Sequence, residues 1–510
     1  MENKIDIYKK RQELISLKEI IIDTEMLKIM TRDIMYKYCA VPIQVSENNV
    51  LIAMGNPYDK KAVENISSLL KRKIDVIPAD SKEIYVLINS IDESQETNLV
   101  IEQITRNLEK NLSSNVYDKN NNIDPIENSP IVRLTNHIIA QAINIKASDI
   151  HMEPFEEDVI IRNRVDGILY ENIKLTKEIY ASICSRIKLQ SGMDISEKRT
   201  PQDGKLQFSH NDLMLDLRVS TLPTIHGEKV VIRILYKKER LQSLKALGFC
   251  AFGENSISNS LKNNHGIILV TGPTGSGKTT TLYAMLEQID KHDKNIVTIE
   301  DPVEIQVPFV NQVNVNTKAG LNFASGLRSI LRQDPNIIMV GEIRDEETAQ
   351  IAVRAAITGH LVISTLHTND AAASIVRLID MGVPNYLAAD ALLVCIAQRL
   401  VRKICSFCKT EYEPTIREKH ELMLTYSEKL HKGLGCAFCK YTGYSGRTVV
   451  YEIMNVDDNL REYISKGAGA DSIRQYNETK NMTNLKENCK ELVKKGVTSF
   501  EEFLRICNVS

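Results

Sequence analysis

The spacing of apolar and polar positions changes along the chain and predicts several kinds of element. Between 129 and 145, apolar residues recur at intervals of three and four, which indicates a helix with one buried face. In the segments 159–165 and 213–221 the pattern favours extended strands. From about residue 241 onward, short apolar runs alternate with helical patterns, which predicts a mostly parallel sheet flanked by helices.

These patterns divide the chain into four regions. Residues 1–90 mix helical and strand-like segments and form a small predicted α/β module. Residues 91–128 are polar and offer nothing to bury at their centre, so we expect a flexible linker. Residues 129–240 begin with Ser129-Pro130, a helix-starting pair, and are predicted to form an α+β domain. Residues 241–510 form the predicted α/β domain.

Composition and charge narrow the class of protein. The 510 residues exceed what one hydrophobic core holds, so about three domains are expected. The formal net charge of −2 offers no general attraction to nucleic acid, and no nucleic-acid partner is expected. No apolar run approaches the ~20 residues that span a membrane, and residues 1–10 are charged, so we expect a cytoplasmic protein. Its cysteines should then be reduced thiols or metal ligands.

The strongest chemical signal is Gly-Pro-Thr-Gly-Ser-Gly-Lys-Thr at 272–279, between an apolar run and an amphipathic helical segment. In such a P-loop the glycines let backbone amides face phosphate oxygens, Lys278 reaches the β- and γ-phosphates, and the Thr279 hydroxyl binds Mg²⁺. A simple glycine-rich turn is the alternative. We expect ATP and Mg²⁺ as cofactors. The residues expected to hold them are Gly272, Thr274, Gly275, Ser276, Gly277, Lys278, Thr279 and Thr280.

Hydrolysis also needs carboxylates that hold the metal and orient the attacking water. One apolar run ends at Glu342 and another ends at Glu300-Asp301. Gly341 stands where P-loop proteins commonly carry an aspartate on the Mg²⁺ side. We assign Glu342 to the polarisation of water and Glu300 to the metal shell, with the two roles exchangeable. Alternatively, either acid could simply cap a following helix.

Two histidines flank the predicted strand 361–366. A histidine at a strand end near the γ-phosphate can donate a hydrogen bond and sense the loss of that phosphate. We expect His360 and His367 to act in this way. The alternative is that both are core or surface histidines bonded to the backbone.

Four arginines are candidates for stabilising charge on the transferred phosphoryl group. Arg218 lies on the polar face of the predicted strand 213–221. Arg233 shares a strand face with apolar residues and should therefore have a partner. Arg328 and Arg332 are four residues apart and should share one face of a helix. Each of them alone is more often a solvated or salt-bridged residue.

Together these residues resemble the secretion ATPase superfamily, specifically the assembly ATPases of type II secretion and type IV pilus systems. The resemblance runs from about Ser129 to the C-terminus and implies a RecA-like ATPase domain preceded by an α+β domain. It labels 300–304 an Asp box and the histidine strand a His box, and glycine at 341 is normal in the family. Its motifs, in the order of the family, are Ala147–Pro154, Arg162–Gly167, Pro201–Gly204, the P-loop, Glu300–Glu304, Leu331–Pro335, Gly341–Asp345 and Thr365–Asn369.

The resemblance also implies an assembly and partners. Arg218 and Arg233 would reach the nucleotide from the second domain, with Arg328 and Arg332 helping from the ATPase domain. The protein would form a homo-hexameric ring that moves an inner-membrane platform protein and so extrudes pilin-like subunits. It would work in the cytoplasm, peripherally at the inner face of the cell membrane.

Two cysteine pairs, Cys405-x2-Cys408 and Cys436-x2-Cys439, lie in an insertion at about 400–447. Four thiolates in two such pairs suit tetrahedral Zn²⁺. Because they leave no open position for a catalytic water, we expect the metal to serve folding. Reduced, unligated cysteines are the alternative. The resemblance agrees with zinc, since pilus-extension and secretion members carry this motif and the retraction ATPases lack it.

Residues 1–90 resemble the N-terminal module of the same ATPases more weakly, chiefly through Tyr38–Pro42 and Val50–Pro57. The resemblance implies docking on the cytoplasmic domain of a membrane assembly protein. Some relatives instead bind cyclic di-GMP through a pattern that opens with Arg-Leu-Gly. Because this pattern is absent, cyclic di-GMP binding is not expected here.

The sequence therefore predicts an ATPase motor that assembles a type IV pilus or a type II secretion pseudopilus, two pathways that it does not separate. A nucleotide-gated scaffold with negligible turnover is one alternative, and a nucleic-acid motor is another.

Overall fold

In this computed structural model the chain divides into two compact units. The first comprises 1–236 with 405–408 and 433–444, and the second comprises 237–404, 409–432 and 445–510. The predicted linker at 91–128 lies outside the residues that the structure describes. The described residues are 17, 29–30, 32–45, 49–70, 72–81, 83–85, 87–88, 129–210, 213–236, 242–425, 427–439, 441–480 and 482–507.

The first unit begins with a small three-stranded sheet. Its central strand β2 pairs antiparallel with β1 and parallel with β3. β2 is buried along almost its whole length, which explains its continuous run of apolar residues. The predicted small α/β module is therefore confirmed. Its elements are α1 Arg32–Tyr38, β1 Ala40–Val45, β2 Asn49–Met54, α2 Lys60–Leu70 and β3 Lys73–Pro78.

A six-stranded antiparallel sheet follows in the same unit, with strand order β6-β5-β4-β9-β8-β7. Apolar residues from its strands and from two helices form one core. The opposite set of strand positions carries most of the charged residues. The elements are α3 Pro130–Asn144, β4 Asp149–Pro154, β5 Val159–Val165, β6 Ile168–Leu175, α4 Lys177–Gln190, β7 Gln202–His210, β8 Leu213–Thr224 and β9 Gly227–Leu235.

The second unit is built on a seven-stranded sheet with strand order β12-β11-β13-β14-β10-β15-β18. Five neighbouring pairs, from β12 to β15, run parallel. A separate two-stranded sheet joins β16 and β17. The strands are β10 Gly266–Thr271, β11 Ile296–Glu300, β12 Asn311–Asn314, β13 Ile337–Val340, β14 Leu361–Leu366, β15 Leu392–Ile404, β16 Lys409–Tyr412, β17 Leu430–Gly433 and β18 Tyr444–Asn455.

Helices connect the parallel strands and cover the sheet, as crossovers between parallel strands require. This arrangement confirms the predicted RecA-like α/β fold. None of the helices in the described part of the chain is long and apolar enough to cross a lipid bilayer. The helices are α5 Leu244–Leu247, α6 Ala251–Leu261, α7 Lys278–Gln288, α8 Phe323–Ile330, α9 Glu346–Ile357, α10 Ala371–Asp380, α11 Asn385–Ala391, α12 Ile416–Leu422, α13 Asp458–Ser465, α14 Ala470–Thr479, α15 Leu485–Lys494 and α16 Phe500–Cys507.

Two local expectations need correction. Pro130 opens α3 as predicted, but the Ser129 side chain makes no capping hydrogen bond. Arg328 lies in α8, whereas Arg332 lies beyond the last helical residue of α8. Leu331 is the C-cap of α8, so the two arginines do not share one regular helical face.

Candidate active site

The P-loop joins the end of β10, at Thr271, to the start of α7, at Lys278. Gly277 caps α7 with a φ of 88°, a value that favours glycine. A Cβ on Gly272 would lie 2.5 Å from the carbonyl oxygen of Gln398, so only glycine fits at the start of the loop. The glycines thus let the chain turn tightly and bring the N-terminal end of α7 to the carboxyl edge of the sheet.

The other residues of the P-loop differ in exposure. Thr274, Gly275 and Thr279 are exposed, and Thr280 is half-buried. Ser276 is buried, and its Oγ has no hydrogen-bond partner within the described residues. The exposed Thr279 hydroxyl stands in the first turn of α7, where an oxygen ligand can meet Mg²⁺ beside bound phosphates.

Lys278 is buried within the loop that it terminates. Its Nζ donates to the carbonyl oxygens of Gly272 at 2.7 Å and Pro273 at 3.1 Å. Burial lowers the pKa of Lys278 to about 8, although the negative charge of Glu342 opposes the shift. A phosphate group beside Nζ would favour the charged form and raise this pKa again.

β13 and β14 carry Glu342 and His367 to the same edge of the sheet as the P-loop. β14 pairs in parallel with both β13 and β10, so the carboxyl ends of the three strands lie side by side. The Glu342 carboxylate lies 2.6 Å from a guanidinium nitrogen of Arg344 and 3.5 Å from Nε2 of His367. A carboxylate, an imidazole and a lysine thus meet where a bound triphosphate would end.

The pKa of His367 lies below its usual value of 6.5. Burial is the main cause, and the positive charge of Lys278 adds to it, whereas Glu342 opposes the shift. The imidazole is therefore neutral near pH 7. When Nε2 carries the proton of the neutral ring, it can donate to Glu342 or to a phosphate oxygen.

Glu300 ends β11, which pairs with β13, and its surroundings are quite different. The residue is 2% exposed. Its carboxylate accepts hydrogen bonds from the Tyr283 hydroxyl, from Thr298 Oγ1 at 2.6 Å and from Gln312 Nε2 at 3.1 Å. Within the described residues no lysine or arginine lies within ion-pair distance of it. Since three neutral donors already hold its oxygens, Glu300 suits contact with hydrated Mg²⁺ through water better than direct coordination.

The structure separates the two histidines of the His box. His360 precedes β14 and His367 follows it. The two histidines therefore lie at opposite ends of this strand, about 20 Å apart for a six-residue strand. His360 Nδ1 lies 3.0 Å from the carbonyl oxygen of Ala355, near the end of α9. The expectation that His360 approaches the γ-phosphate is thus wrong within this unit, because a strand has two ends and the P-loop lies at the other one.

Arg328 and Arg332 are both exposed. Arg328 forms an ion pair with Glu347 in the first turn of α9. The Arg332 guanidinium donates to the Arg328 carbonyl oxygen at 3.0 Å and to Ser329 Oγ at 3.3 Å. The contacts recorded for these two arginines are thus local, and none of them is with the P-loop.

In the first unit, Arg218 and Arg233 belong to a row of charged residues that crosses five strands. Strand register places Lys205 opposite Arg218, Arg218 opposite Arg233, Arg233 opposite Asp149, and Asp149 opposite Arg164. Asp149 accepts from Arg233 Nε at 3.0 Å and lies 3.6 Å from Arg164 Nε. The partner that Arg233 was expected to have is therefore Asp149.

Arg218 has no carboxylate within ion-pair distance in the described part of the chain. It lines a cavity of about 460 Å³ on the polar side of the sheet. Lys205 and Arg233 line the same cavity, and Asp203 is its acidic residue. The cavity therefore carries an excess of positive charge that suits an anionic ligand.

The four paired cysteines converge in one buried cluster. Their sulfurs all lie within 4.8 Å of one another, with separations of 3.9 Å for Cys405–Cys436, 3.8 Å for Cys408–Cys439 and 3.7 Å for Cys436–Cys439. A tetrahedral Zn²⁺ with Zn–S bonds of about 2.3 Å would separate its sulfurs by about 3.8 Å. The donor set and its spacing therefore fit a metal ion of this kind.

Backbone amides support one of these thiolates. The amides of Cys436 and Gly443 each donate to Cys439 Sγ at 3.2 Å. Burial alone would raise the pKa of Cys439, but these amides, together with hydrogen bonds from the Cys436 and Cys408 side chains, outweigh it and lower that pKa. Such amide bonds to sulfur orient a ligand and favour its thiolate form.

Sequence reasoning did not identify Tyr283, Gln312, Gln398 or Arg399 near the site. Tyr283 and Gln312 hold Glu300. Gln398 is fully buried beneath the P-loop, and Arg399 is almost as deeply buried beside it. The signal that could have found the last two is a polar pair in the middle of the apolar run of β15, where a buried strand rarely carries a glutamine and an arginine.

Two family models cover most of the chain. The family described as Type II/IV secretion system protein matches residues 125–505, and the MshEN domain matches residues 11–98. The type II secretion system protein HxcR of Pseudomonas aeruginosa is 44% identical over 384 residues, which cover 75% of this chain and 79% of that protein. The type IV pilus assembly ATPase PilB of Thermus thermophilus is 39% identical over 483 residues, which cover 93% of this chain and 54% of that protein.

Among solved structures, the ATPase DotB of Legionella pneumophila is similar to this chain with a TM-score of 0.56 and 21% identity. The alignment covers 76% of this chain and 98% of that one. DotB of Yersinia pseudotuberculosis gives a TM-score of 0.54 at 20% identity, with 74% of this chain covered and 94% of that one. At this level of identity the likeness concerns the fold.

Proposed function

This chain belongs to the Type II/IV secretion system protein family and is an ATP hydrolase, and we propose that its turnover powers assembly of a type IV pilus or a type II secretion pseudopilus. The family resemblance that the motifs predicted is confirmed. The observation that carries the proposal is the meeting of Lys278, Glu342 and His367 beside the P-loop at one edge of the sheet.

The residues at the carboxyl ends of these strands have different proposed roles in phosphoryl transfer. The backbone amides of the P-loop and Lys278 would bind the phosphates, and the Thr279 hydroxyl would hold Mg²⁺. The bound ion would supply positive charge against the charge that develops on the phosphates. Glu342 orients the attacking water, with its carboxylate held by Arg344 and His367. His367 donates to the γ-phosphate or to Glu342 and so registers whether that phosphate is present.

Glu300 supports the same site through the metal shell. Its three hydrogen bonds fix the carboxylate at the end of β11, next to the strand end that carries Glu342. Fixed in this way, it would orient a water molecule of the hydrated ion while keeping its three protein partners.

Arg218 and Arg233 complete the site from the first unit. The positive cavity around Arg218 suits the charge of a triphosphate, and Asp149 holds Arg233 in one orientation. A guanidinium that arrives on another module or another copy couples hydrolysis to movement. We therefore propose a homo-hexameric ring in which neighbouring copies share nucleotide sites, with Arg328 and Arg332 assisting from the ATPase domain.

The cysteine cluster holds a structural zinc ion. Four buried sulfurs at tetrahedral spacing support this assignment, and they leave no position for a catalytic water. Metal analysis should find about one zinc per folded chain, and less than about half a zinc would contradict the assignment.

The N-terminal module, which matches the MshEN domain, docks on the cytoplasmic domain of a membrane assembly protein. The ATPase domain acts on an inner-membrane platform protein. The proposed place of action is the cytoplasmic face of that membrane. The names of the relatives support this placement, since they are proteins of type II secretion and of type IV pilus assembly.

Phosphate release by the assembled protein tests the function. Lys278→Ala should abolish both ATP binding and turnover. ATP binding without phosphate release by the unmodified protein would favour the nucleotide-gated scaffold instead. A deletion strain scored for surface pili and for exported proteins, and complemented with Glu342→Gln, would then assign the pathway.

A further inference from the structure

The strand next to the P-loop strand carries two buried polar residues that the proposed mechanism does not use. β15 pairs in parallel with β10 up to Thr271–Ala397, so Gln398 and Arg399 follow directly beside the start of the P-loop. Gln398 is 0% exposed and Arg399 is 5% exposed. Burying an amide and a guanidinium is costly unless each makes specific hydrogen bonds, and both residues make them.

Both ends of the Gln398 amide bind the P-loop and its helix. Nε2 donates to the carbonyl oxygen of Ser276 at 2.9 Å, and Oε1 accepts from Thr281 Oγ1 at 2.9 Å. The Gln398 carbonyl oxygen also faces Gly272 at close range. Gln398 therefore contacts the beginning and the end of the P-loop and the first turn of α7.

Arg399 binds a different loop. Its guanidinium donates to the Asn369 carbonyl oxygen at 2.8 Å and to the Gln398 carbonyl oxygen at 3.0 Å. Asn369 lies two residues after His367. Thr368 ties the same loop to the end of β10, because its amide donates to Thr271 Oγ1 at 2.9 Å.

Arg399 is also a buried cation without a carboxylate partner at ion-pair distance within the described residues. Burial lowers its pKa, while the more distant charges of Asp370 and Glu452 oppose the shift. Its charge in turn helps to lower the pKa of Lys278, which places Arg399 in the electrostatic environment of the phosphate site.

We infer that Gln398 and Arg399 are a positioning pair in which Gln398 holds the P-loop for ATP binding and Arg399 holds the His367 loop for hydrolysis. Neither residue touches the reacting atoms in this role. Apolar residues of similar volume would fill the same space and remove the desolvation penalty of the buried amide and charge. They would also leave the Thr281 hydroxyl and the Ser276 and Asn369 carbonyl oxygens without these partners, so a lower Tm is expected beside the kinetic defects. What such residues cannot do is tie two loops of one site to one strand.

The inference predicts different kinetic defects for two adjacent residues: weaker ATP binding for one and a lower kcat for the other. Gln398→Met should weaken ATP binding about tenfold with kcat nearly unchanged, as expected for the loss of one hydrogen bond to the P-loop and one to the first turn of α7. Arg399→Met should lower kcat about tenfold while the Kd for ATP stays within about threefold, because His367 is no longer held near Glu342. Lys403→Met removes an exposed cation from the same strand and should change neither quantity.

The experiment uses the full chain with Mg²⁺ and measures Kd with a fluorescent ATP analogue, kcat by phosphate release, and the Tm of each variant. If Arg399→Met does not fold, Arg399→Lys replaces it, since it keeps the charge but loses the fork that reaches two carbonyls. Equal losses in Kd and kcat that follow Tm would overturn the inference, as would wild-type values for both variants.

The inference rests on the proposed function, and the two can fail separately. A wild-type protein that binds ATP but releases no phosphate contradicts the proposed function. The Kd of Gln398→Met still tests the P-loop half of the pair in that case.

Discussion

Two neighbouring strands of the central sheet have a glutamate at or just beyond their carboxyl ends, and the two glutamates differ in their surroundings. Glu300, at the end of β11, is buried and accepts hydrogen bonds from three neutral donors. Glu342, just beyond β13, has a side chain that is 14% exposed and faces Arg344 and the imidazole of His367. The two environments differ although each glutamate follows a short apolar run in the sequence.

The difference separates a supporting carboxylate from a reacting one. A carboxylate fixed by three donors and shielded from solvent cannot readily exchange these partners and keeps about one acceptor site for a further water. A partly exposed carboxylate beside ionisable groups can bind a water molecule and exchange protons with its surroundings. We therefore place the chemical step at Glu342 and the support of the metal shell at Glu300.

The contrast is tested most strongly by Glu342→Gln. The amide keeps the shape of the side chain but cannot polarise water, so kcat should fall by roughly 10²–10⁴-fold while ATP binding persists. Phosphate release and binding of a fluorescent ATP analogue measure the two quantities. Glu413→Gln, which alters an exposed acid of the same unit, serves as control. Wild-type kcat in Glu342→Gln would move the role to another group.

Glu300→Gln should combine a kinetic defect with a loss of stability. An amide nitrogen cannot accept the hydrogen bonds that an oxygen of Glu300 now accepts, so the free energy of unfolding should fall by about 1.5–3 kcal/mol. We expect kcat to fall about tenfold. Denaturant unfolding and phosphate release give the two values. A loss of kcat as large as in Glu342→Gln, with stability unchanged, would exchange the roles of the two glutamates.

The pH dependence of kcat/KM reports the ionisable groups that face Glu342. His367 has a pKa below 6.5, so its neutral form is lost as the pH falls through that lowered pKa, and the charged ring then pairs with Glu342. Lys278 has a pKa of about 8, so its charge is lost as the pH rises through that value. A bell-shaped profile should result. His367→Gln should remove the acid limb alone, and an unchanged acid limb would exclude His367.

Gly341→Ala probes the space between the two strand ends. An added Cβ would lie 3.3 Å from the Ile299 carbonyl oxygen and 3.4 Å from Glu300 Cα. The strand ends must move apart slightly, so the free energy of unfolding should fall by about 1 kcal/mol. An unfolding free energy equal to that of the unmodified protein would show that the contact carries no strain.

The smallest effect is expected at the opposite edge of the sheet. His360→Gln should leave kcat unchanged, because His360 contacts the end of α9 and not the P-loop. The lost contact with Ala355 should cost at most about 1 kcal/mol of unfolding free energy. A clear fall in kcat would show that the amino edge of the sheet contributes to catalysis.

Local sequence patterns predicted the P-loop, the strand ends that carry both glutamates, and the paired cysteines. Each of these depends on spacing within one short segment, which the sequence displays directly. The clustering of the four cysteines, from two pairs 27 residues apart, is the longest-range contact that the sequence spacing predicted.

The partners of these residues could not be predicted, because they come from distant segments. Asp149 meets Arg233 through the register of β4 with β9, and Gln312 meets Glu300 from the next strand. Strand register and sheet order are set by the whole core and not by local pattern. The wrong prediction for His360 has a simpler cause. In a parallel sheet all amino ends of the strands lie on one side and all carboxyl ends on the other, and His360 is at the amino end of β14, away from the P-loop.

Phosphate release by the assembled, metal-loaded protein tests most directly whether this edge of the sheet is an ATPase site. With ATP and Mg²⁺ present, the unmodified protein should release inorganic phosphate, and Lys278→Ala should abolish that release. Failure of the unmodified protein to release phosphate under any lipid or partner condition would contradict the proposed motor.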